Sequence, residues 1–240
     1  MKTKKIVIFA AIPIFINLLF IGLYYSGIKF AQQLIAPTID WLSENSWREF
    51  GLLEQFQNIY LLVILVIFAI AVFKRELVAE RLFYFIGFSA FLFLFLEEID
   101  YGLHFYEYFS GETVEIAVRN WHNQEVVGGG QKVKYLKRIV DIVGGVWFVI
   151  IPLFLHKTTF IRIKKIVPSR WMTITFIIGI LCSSFAHFLQ GMNFDVINGI
   201  SGNLKGNISE FRELNTYYVY MLYAIQLYYI DLSISNDMEE

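Results

Sequence analysis

The stretch LEEIDYGLHFYEY, residues 96–108, places Glu97, Glu98, Asp100, His104 and Glu107 within eleven positions, directly after an apolar run. Carboxylates and an imidazole at this density can do two kinds of chemistry. They can pass protons as general acids and bases. They can also ligate a divalent metal through mixed oxygen and nitrogen donors, the usual shell for Zn, Mn or Fe. If the apolar helix continues past Leu96, Glu97, Asp100, His104 and Glu107 stand at i, i+3, i+7 and i+10, which is one stripe. Glu98 then points about 100° away from Glu97. Gly102 is a position at which such a helix can bend or end.

Residues of the same kind recur further along the chain. His122 and Asn123 sit in NWHNQ, His187 in SSFAHFLQ, and Asp195 follows it. Asp141 opens one apolar segment; Glu210 and Glu213 open another, three residues apart and so on one face, with Tyr217 one turn further. Each has a structural alternative. Glu98 can be a helix-end carboxylate paired with Arg119, and His104 can bond a backbone carbonyl. Glu210 and Glu213 can simply favour the positive end of a helix, capped by Asn207 or Ser209. Helical bundles build metal sites from such groups when several helices present them to one point, and the metal then makes hydroxide from bound water at neutral pH.

The elements that must position these residues are membrane helices. Of 240 residues, 57% are hydrophobic and 18% aromatic, the mean hydropathy is +0.55, and the apolar residues come in blocks. That pattern implies a polytopic, all-α membrane protein. A net charge of -1 provides no field for nucleic acid, and a single cysteine, Cys182, excludes an intramolecular disulfide. A spanning helix needs about 20 mostly apolar residues. Six segments are expected to cross: 6–25, 58–73, 82–96, 139–155, 171–189 and 217–234, in one domain. The second and third are short and should extend into their flanks, drawing Gln57 and Glu97 towards the interface. The stretch 35–56 reads as an amphipathic helix lying on the outer leaflet.

Orientation follows the basic residues. With the N-terminus in the cytoplasm, the inner segments 1–5, 74–81 and 157–170 carry 11 basic residues in 27 positions, and the outer segments carry 9 in 94. Both termini then lie inside, in a bacterial inner membrane. The candidate residues fall on the outer face, His122 and Asn123 within the outer loop 99–138. Only His156, of the four histidines, falls inside.

Glu-Glu-Ile-x-aromatic-Gly, followed some twenty residues later by His-Asn, resembles a motif of uncharacterised bacterial multi-pass membrane proteins. Those typically read Glu-Glu-Ile-Ser-Trp-Gly-Gln and then Asn-Leu-His-Asn; here the stretches are EEIDYGL and NWHNQ. Asp100, Tyr101 and Leu103 replace the usual Ser, Trp and Gln. The resemblance brings no activity with it. It implies that Glu97, Glu98, His122 and Asn123 belong together.

Three functions fit this reading. The first is an enzyme with a metal or acid/base site at the outer membrane face, a hydrolase or transferase acting on a lipid-linked or headgroup substrate. Glu97, Glu98 and Glu213 would be its catalytic carboxylates. Glu98, His104, His122, His187 and Glu213 would hold a divalent metal, supported by Asp100, Asn123, Glu210 and Tyr217. The second is a non-catalytic membrane subunit that binds an envelope partner through the 99–138 loop. The third is a small-solute transporter, against which stand the lack of a charged residue at mid-membrane, where Asn17 and Gln226 are marginal, and the lack of a discontinuous helix pair.

Overall fold

The structure is a computed structural model that describes residues 2–39, 41–42, 46, 48–114, 139, 142–155, 166–192, 208 and 210–237. Among the described residues every regular element is a helix. The helices are α1 (Thr3–Tyr24), α2 (Lys29–Ile35), α3 (Leu52–Lys74), α4 (Val78–Glu98), α5 (Leu103–Ser110), α6 (Ile142–Leu155), α7 (Arg170–Gly191) and α8 (Glu210–Asp237). His122, Asn123, His156, Asp141, Asp195 and most of the 99–138 loop lie outside the described residues, as do Asn207 and Ser209.

Four of these helices, α1, α3, α4 and α7, are long and apolar enough to cross a membrane. Each of the expected segments forms a helix, but the other two differ in kind. α6 is a shorter apolar helix; its 14 residues rise about 21 Å at 1.5 Å each, less than a hydrocarbon core of about 30 Å. α8 has 28 residues but is far less hydrophobic. It can afford tyrosines because it lies inside the bundle, packed between α3 and α7, with Phe211, Leu214, Tyr217, Tyr218, Val219 and Leu222 all buried. The other helices carry the exposed apolar surface instead, at Phe15 and Leu18 of α1, Val66 and Phe73 of α3, Phe85 and Ile86 of α4, and Ile180 and Leu181 of α7, a surface compatible with lipid. The stretch 35–56 is not one surface helix. α2 ends at Ile35, residues 48–50 make a 3-10 turn, and α3 begins already at Leu52.

Two prolines shape the bundle. A proline offers no N–H to the carbonyl four residues back, and its ring collides with that carbonyl. Before Pro13 and before Pro152 the helix widens to a π turn, Val7–Ala11 in α1 and Val146–Ile150 in α6. The carbonyls left over are Phe9 and Phe148, four residues before each proline. Both are taken by threonines of α7: Thr175 Oγ1 donates to Phe9 O at 2.7 Å, and Thr173 Oγ1 donates to Phe148 O at 2.7 Å. Ile8 stands five before Pro13 and so loses its π-type donor as well; Tyr218 Oη supplies one at 2.7 Å. Residues 173 and 175 are two apart, a turn of about 200°, so α7 runs between α1 and α6 and serves one on each side.

A reciprocal amide pair joins α1 to α8. Asn17 Nδ2 donates to Asn215 Oδ1 at 2.8 Å, and Asn215 Nδ2 donates to Asn17 Oδ1 at 2.9 Å. The remaining N–H groups go to the carbonyls of Pro13 and Phe211. α7 approaches closely here, since a Cβ on Gly179 would lie 2.7 Å from Asn215 Cβ. Such close contacts through small residues are how membrane helices pack without a hydrophobic drive between them.

The bundle has an acidic end and a basic end. α3 and α4 form a hairpin whose turn carries Lys74 and Arg75; Arg75 Nη2 donates to the Tyr228 carbonyl of α8 at 3.3 Å. Lys5 and Arg170 border one cavity with Gln226 of α8, at that same end. Glu54 and Glu98 each lie twenty residues from the hairpin turn, about 30 Å along their helices, and therefore at one depth at the opposite end.

Valine at 173 or at 175 keeps the side chain's shape and removes its hydroxyl. Each substitution is expected to lower stability in a bilayer or detergent by about 1–2 kcal/mol, the cost of stranding a buried carbonyl, read as a fall in the unfolding midpoint. Serine at the same positions should retain most of it. Valine variants as stable as the parent would show that the proline-freed carbonyls need no such partner.

Candidate functional site

At the acidic end, polar residues stand in helical register on the three central helices. Glu54, Gln57 and Asn58 occupy i, i+3 and i+4 of α3; Glu210, Glu213 and Tyr217 occupy i, i+3 and i+7 of α8; Glu98 is the last residue of α4. These spacings put each set on one helix face. The 3-10 turn adds Glu49. Glu49, Glu54 and Glu98 are buried, at 5%, 5% and 7% exposure, while Glu210 and Glu213 are half-buried.

The charges that act on Glu54 are those of Glu210, Glu49, Glu98 and Glu213. Those that act on Glu98 include Glu213, Glu210 and Glu49. Five carboxylates from four chain segments thus share one electrostatic neighbourhood. Two neutral side chains order it. Tyr217 Oη donates to Glu98 Oε1 at 2.6 Å. Gln57, fully buried, donates through Nε2 to Glu210 Oε2 at 3.2 Å and to the Glu210 carbonyl at 3.3 Å. Its own carbonyl, Gln57 Oε1, has no hydrogen-bond partner. Carboxylates crowded this far from bulk water are costly unless hydrogen bonds, protons or nearby positive charge compensate them.

The stripe expected from the period of 3.6 is broken. Asp100 and Tyr101 take positive φ values of 47° and 53°, and Gly102 follows at 84°. Three consecutive left-handed residues end α4 and start α5 in a new direction, so Gly102 is only the last part of a break that begins two residues earlier. Glu97 and Glu98 remain on α4 but face different partners, as their angular separation requires. Glu98 joins the carboxylate group. Glu97, 2% exposed, accepts a hydrogen bond from Tyr101 Oη. Asp100 is buried within the break itself.

His104 and Glu107 travel with α5, and both are fully buried. Glu107 accepts hydrogen bonds from the Ser46 hydroxyl and, at 2.9 Å, from the Val114 backbone N–H. It thereby ties the chain before α3 to the chain after α5. His104 packs edge-on against Phe50, with ring centroids 5.2 Å apart. His187 is exposed on α7. Among the described residues no three His, Cys, Asp or Glu side chains close into a metal shell. His104 packs against Phe50 beyond the helix break, His187 faces outward and His122 lies outside the described residues, so the mixed shell expected from Glu98, His104, His122, His187 and Glu213 is not seen among the described residues. What the bundle does assemble is a neighbourhood of carboxylates, Glu49, Glu54, Glu98, Glu210 and Glu213, that act on one another's charge without closing into such a shell.

Of the expected residues, Glu98, Glu210, Glu213 and Tyr217 come together. Glu49, Glu54 and Gln57 complete the group without having been singled out in the sequence. For Glu54 and Gln57 the signal was present in LLEQFQN, where polar residues at helical spacing precede the apolar run; the second span begins six residues before its apolar part.

The contact between Tyr101 and Glu97 has a measurable signature. Donation to Glu97, with smaller contributions from burial and from the Glu97 charge, raises the Tyr101 phenol above its ordinary value of 10.0. The contact's stabilisation is complete below that value and is lost as pH rises through the raised one. In an absorbance titration, Glu97→Gln should lower the midpoint of the component that Tyr101→Phe deletes. An unchanged midpoint would remove the contact. Tyr217→Phe strands an acceptor on Glu98 and should lower stability by about 1.5–3 kcal/mol, measured by thermal unfolding in bilayer discs.

No family model, no curated protein and no solved structure matches this chain.

Proposed function

We propose that this is a multi-pass protein of a bacterial inner membrane that holds protons or a divalent cation in the carboxylate group at its extracytoplasmic face. There it performs acid/base-assisted hydrolysis or group transfer on a lipid-linked or headgroup substrate. The observation that carries this reading is the convergence of Glu54, Glu98, Glu210 and Glu213 from three helices, with Tyr217 bonded to Glu98. Neighbouring carboxylates that share positive charge can divide the acid and base roles between them, and the phenol of Tyr217 orients one of them. A bound cation would be held by these carboxylates together with the idle Gln57 Oε1. It would supply Lewis-acid polarisation of a phosphoryl or carbonyl oxygen.

The membrane frame of the proposal is six crossings with both termini in the cytoplasm. Support comes from the concentration of Lys5, Lys74, Arg75 and Arg170 at the end opposite the carboxylates, as the positive-inside bias requires. α6 would cross with help from its flanks, and α8 as a tyrosine-rich helix shielded by its neighbours. His122 and Asn123, which the motif resemblance groups with Glu98, would approach from the outer loop.

A second reading, a non-catalytic subunit of an envelope complex, is favoured by α4. Only 6% of its spanning window is buried, and it presents Phe83, Phe85, Ile86 and Phe93 outward, a surface that a partner helix could cover as well as lipid.

Metal titration tests the first reading. Protein purified in bilayer discs is melted with Mg, Ca, Mn or Zn, beside Glu98→Gln and Glu213→Gln. At least one divalent ion should raise the melting temperature saturably in the parent, and tenfold more of it should be needed in either variant. If every ion leaves parent and variants alike, and proton uptake on unfolding is the same in all three, the carboxylate group is not a cation or proton site. A photo-crosslinker at Phe85 tests the second reading, which requires a discrete protein adduct in cells; adducts to lipid alone would dismiss it.

A further inference from the structure

A helix that faces water hides its apolar side and shows its charges. α5 does the reverse. The imidazole of His104 and the carboxylate of Glu107, three residues apart and so on one face, are fully buried against the protein. Phe105, Phe109 and Tyr106 stand about 100°, 140° and 200° from His104 around the axis, and all three are exposed, Phe109 at 82%. The same inversion runs through the break before α5, where Asp100 is buried and Tyr101 exposed. Glu97 and Glu98 are buried as well, and the next charge, Glu112, is exposed beyond the end of the helix. Trp41 widens the aromatic face: its ring lies 5.3 Å from that of Tyr108 and is itself exposed.

An aromatic patch of this kind calls for a cover, either protein or membrane. Three observations select the membrane. First, the 21 residues of α4 rise about 30 Å, the thickness of a hydrocarbon core, with apolar side chains exposed from Phe83 to Phe93. α4 therefore ends at the boundary between acyl chains and headgroups, and α5 begins five residues later. Second, α5 keeps to that depth. His104, Phe105 and Tyr108 all pack on the ring of Phe50, at 5.2, 5.8 and 5.0 Å between centroids, and Phe50 stands two residues before the start of α3. Third, the exposed rings mix phenyl with phenol and indole, amphipathic groups that favour the membrane interface; seams between membrane helices favour small residues instead. We infer that α5 is an interfacial helix whose partner is the lipid surface. It lies along the headgroup boundary of the leaflet at the carboxylate end, with Phe105, Tyr106 and Phe109 turned to the acyl chains and His104 and Glu107 held against the protein. This placement is independent of what the carboxylate group holds.

The test uses the full chain in phospholipid bilayer discs, with Cys182→Ser removing the one native thiol. A nitroxide is attached at a single new cysteine, Tyr106→Cys, Phe109→Cys or Glu112→Cys. Spin-resonance power saturation then compares collisions with oxygen, which concentrates in the bilayer, and with a water-soluble nickel chelate. The ratio of oxygen to nickel collisions at 106 and 109 should exceed that at 112 severalfold and approach the ratio at Phe85→Cys on the exposed side of α4. Nickel access at 106 and 109 equal to that at 112 would mean that α5 faces water, and would overturn the placement. Exclusion of both reagents from 106 and 109 would mean that protein covers the face, from this chain or a second copy, and would overturn it equally. Should Phe109→Cys fail to fold, Tyr106→Cys decides by the same criterion.

Discussion

Inside a membrane bundle there is no water to satisfy a polar group that the chain leaves unpaired, and the fold is organised around that constraint. Pro13 and Pro152 each release backbone carbonyls in apolar surroundings. The chain answers with π turns before each proline and with hydroxyls of Thr173, Thr175 and Tyr218 that donate to those carbonyls. α7 is thereby committed to a position between α1 and α6. The Asn17–Asn215 pair obeys the same rule, each amide completing the other and spending its spare N–H on its own helix. Orientation of the helices about their axes follows from these bonds, since apolar packing alone would tolerate many rotations in lipid.

The carboxylate end meets the constraint differently. Backbone groups there are satisfied by their helices, but Glu49, Glu54 and Glu98 are buried carboxylates facing others of the same sign. Tyr217 and Gln57 provide hydrogen bonds without providing charge. A group assembled this way is conspicuous because membrane proteins rarely retain such expense without a use for it. The contrast with Glu107 makes the point: it too is buried, but two hydrogen bonds from flanking segments explain it as a clip.

The break at residues 100–102 separates these two roles. α4 ends on Glu98 within the bundle, and three left-handed residues redirect the chain so that α5 lies over the segment around Ser46 and Phe50. Five polar residues that look like one site in the sequence are therefore divided among a carboxylate group, a local turn and a loop clip. The amphipathic character read into 35–56 is divided likewise, between α2, a 3-10 turn and the polar first turns of α3.

Hydropathy and charge are local properties, and what depends on them was legible in the residues alone: an all-helical membrane chain, the approximate place of its apolar segments, and the gathering of acids and bases at opposite ends. Glu98, Glu210, Glu213 and Tyr217 could be singled out because helix period and helix end sufficed to place them. Which acids meet was decided only in three dimensions. Glu54 and Glu98 stand equally far from the turn between α3 and α4, which brings them level, and the rotation of α4 sends Glu97 to Tyr101 instead. Backbone conformation at Asp100 and Tyr101 starts α5 in a new direction and sets His104 against Phe50. Such outcomes depend on the azimuth of one helix against another and on dihedrals that neighbours impose, and no spacing along the chain encodes either.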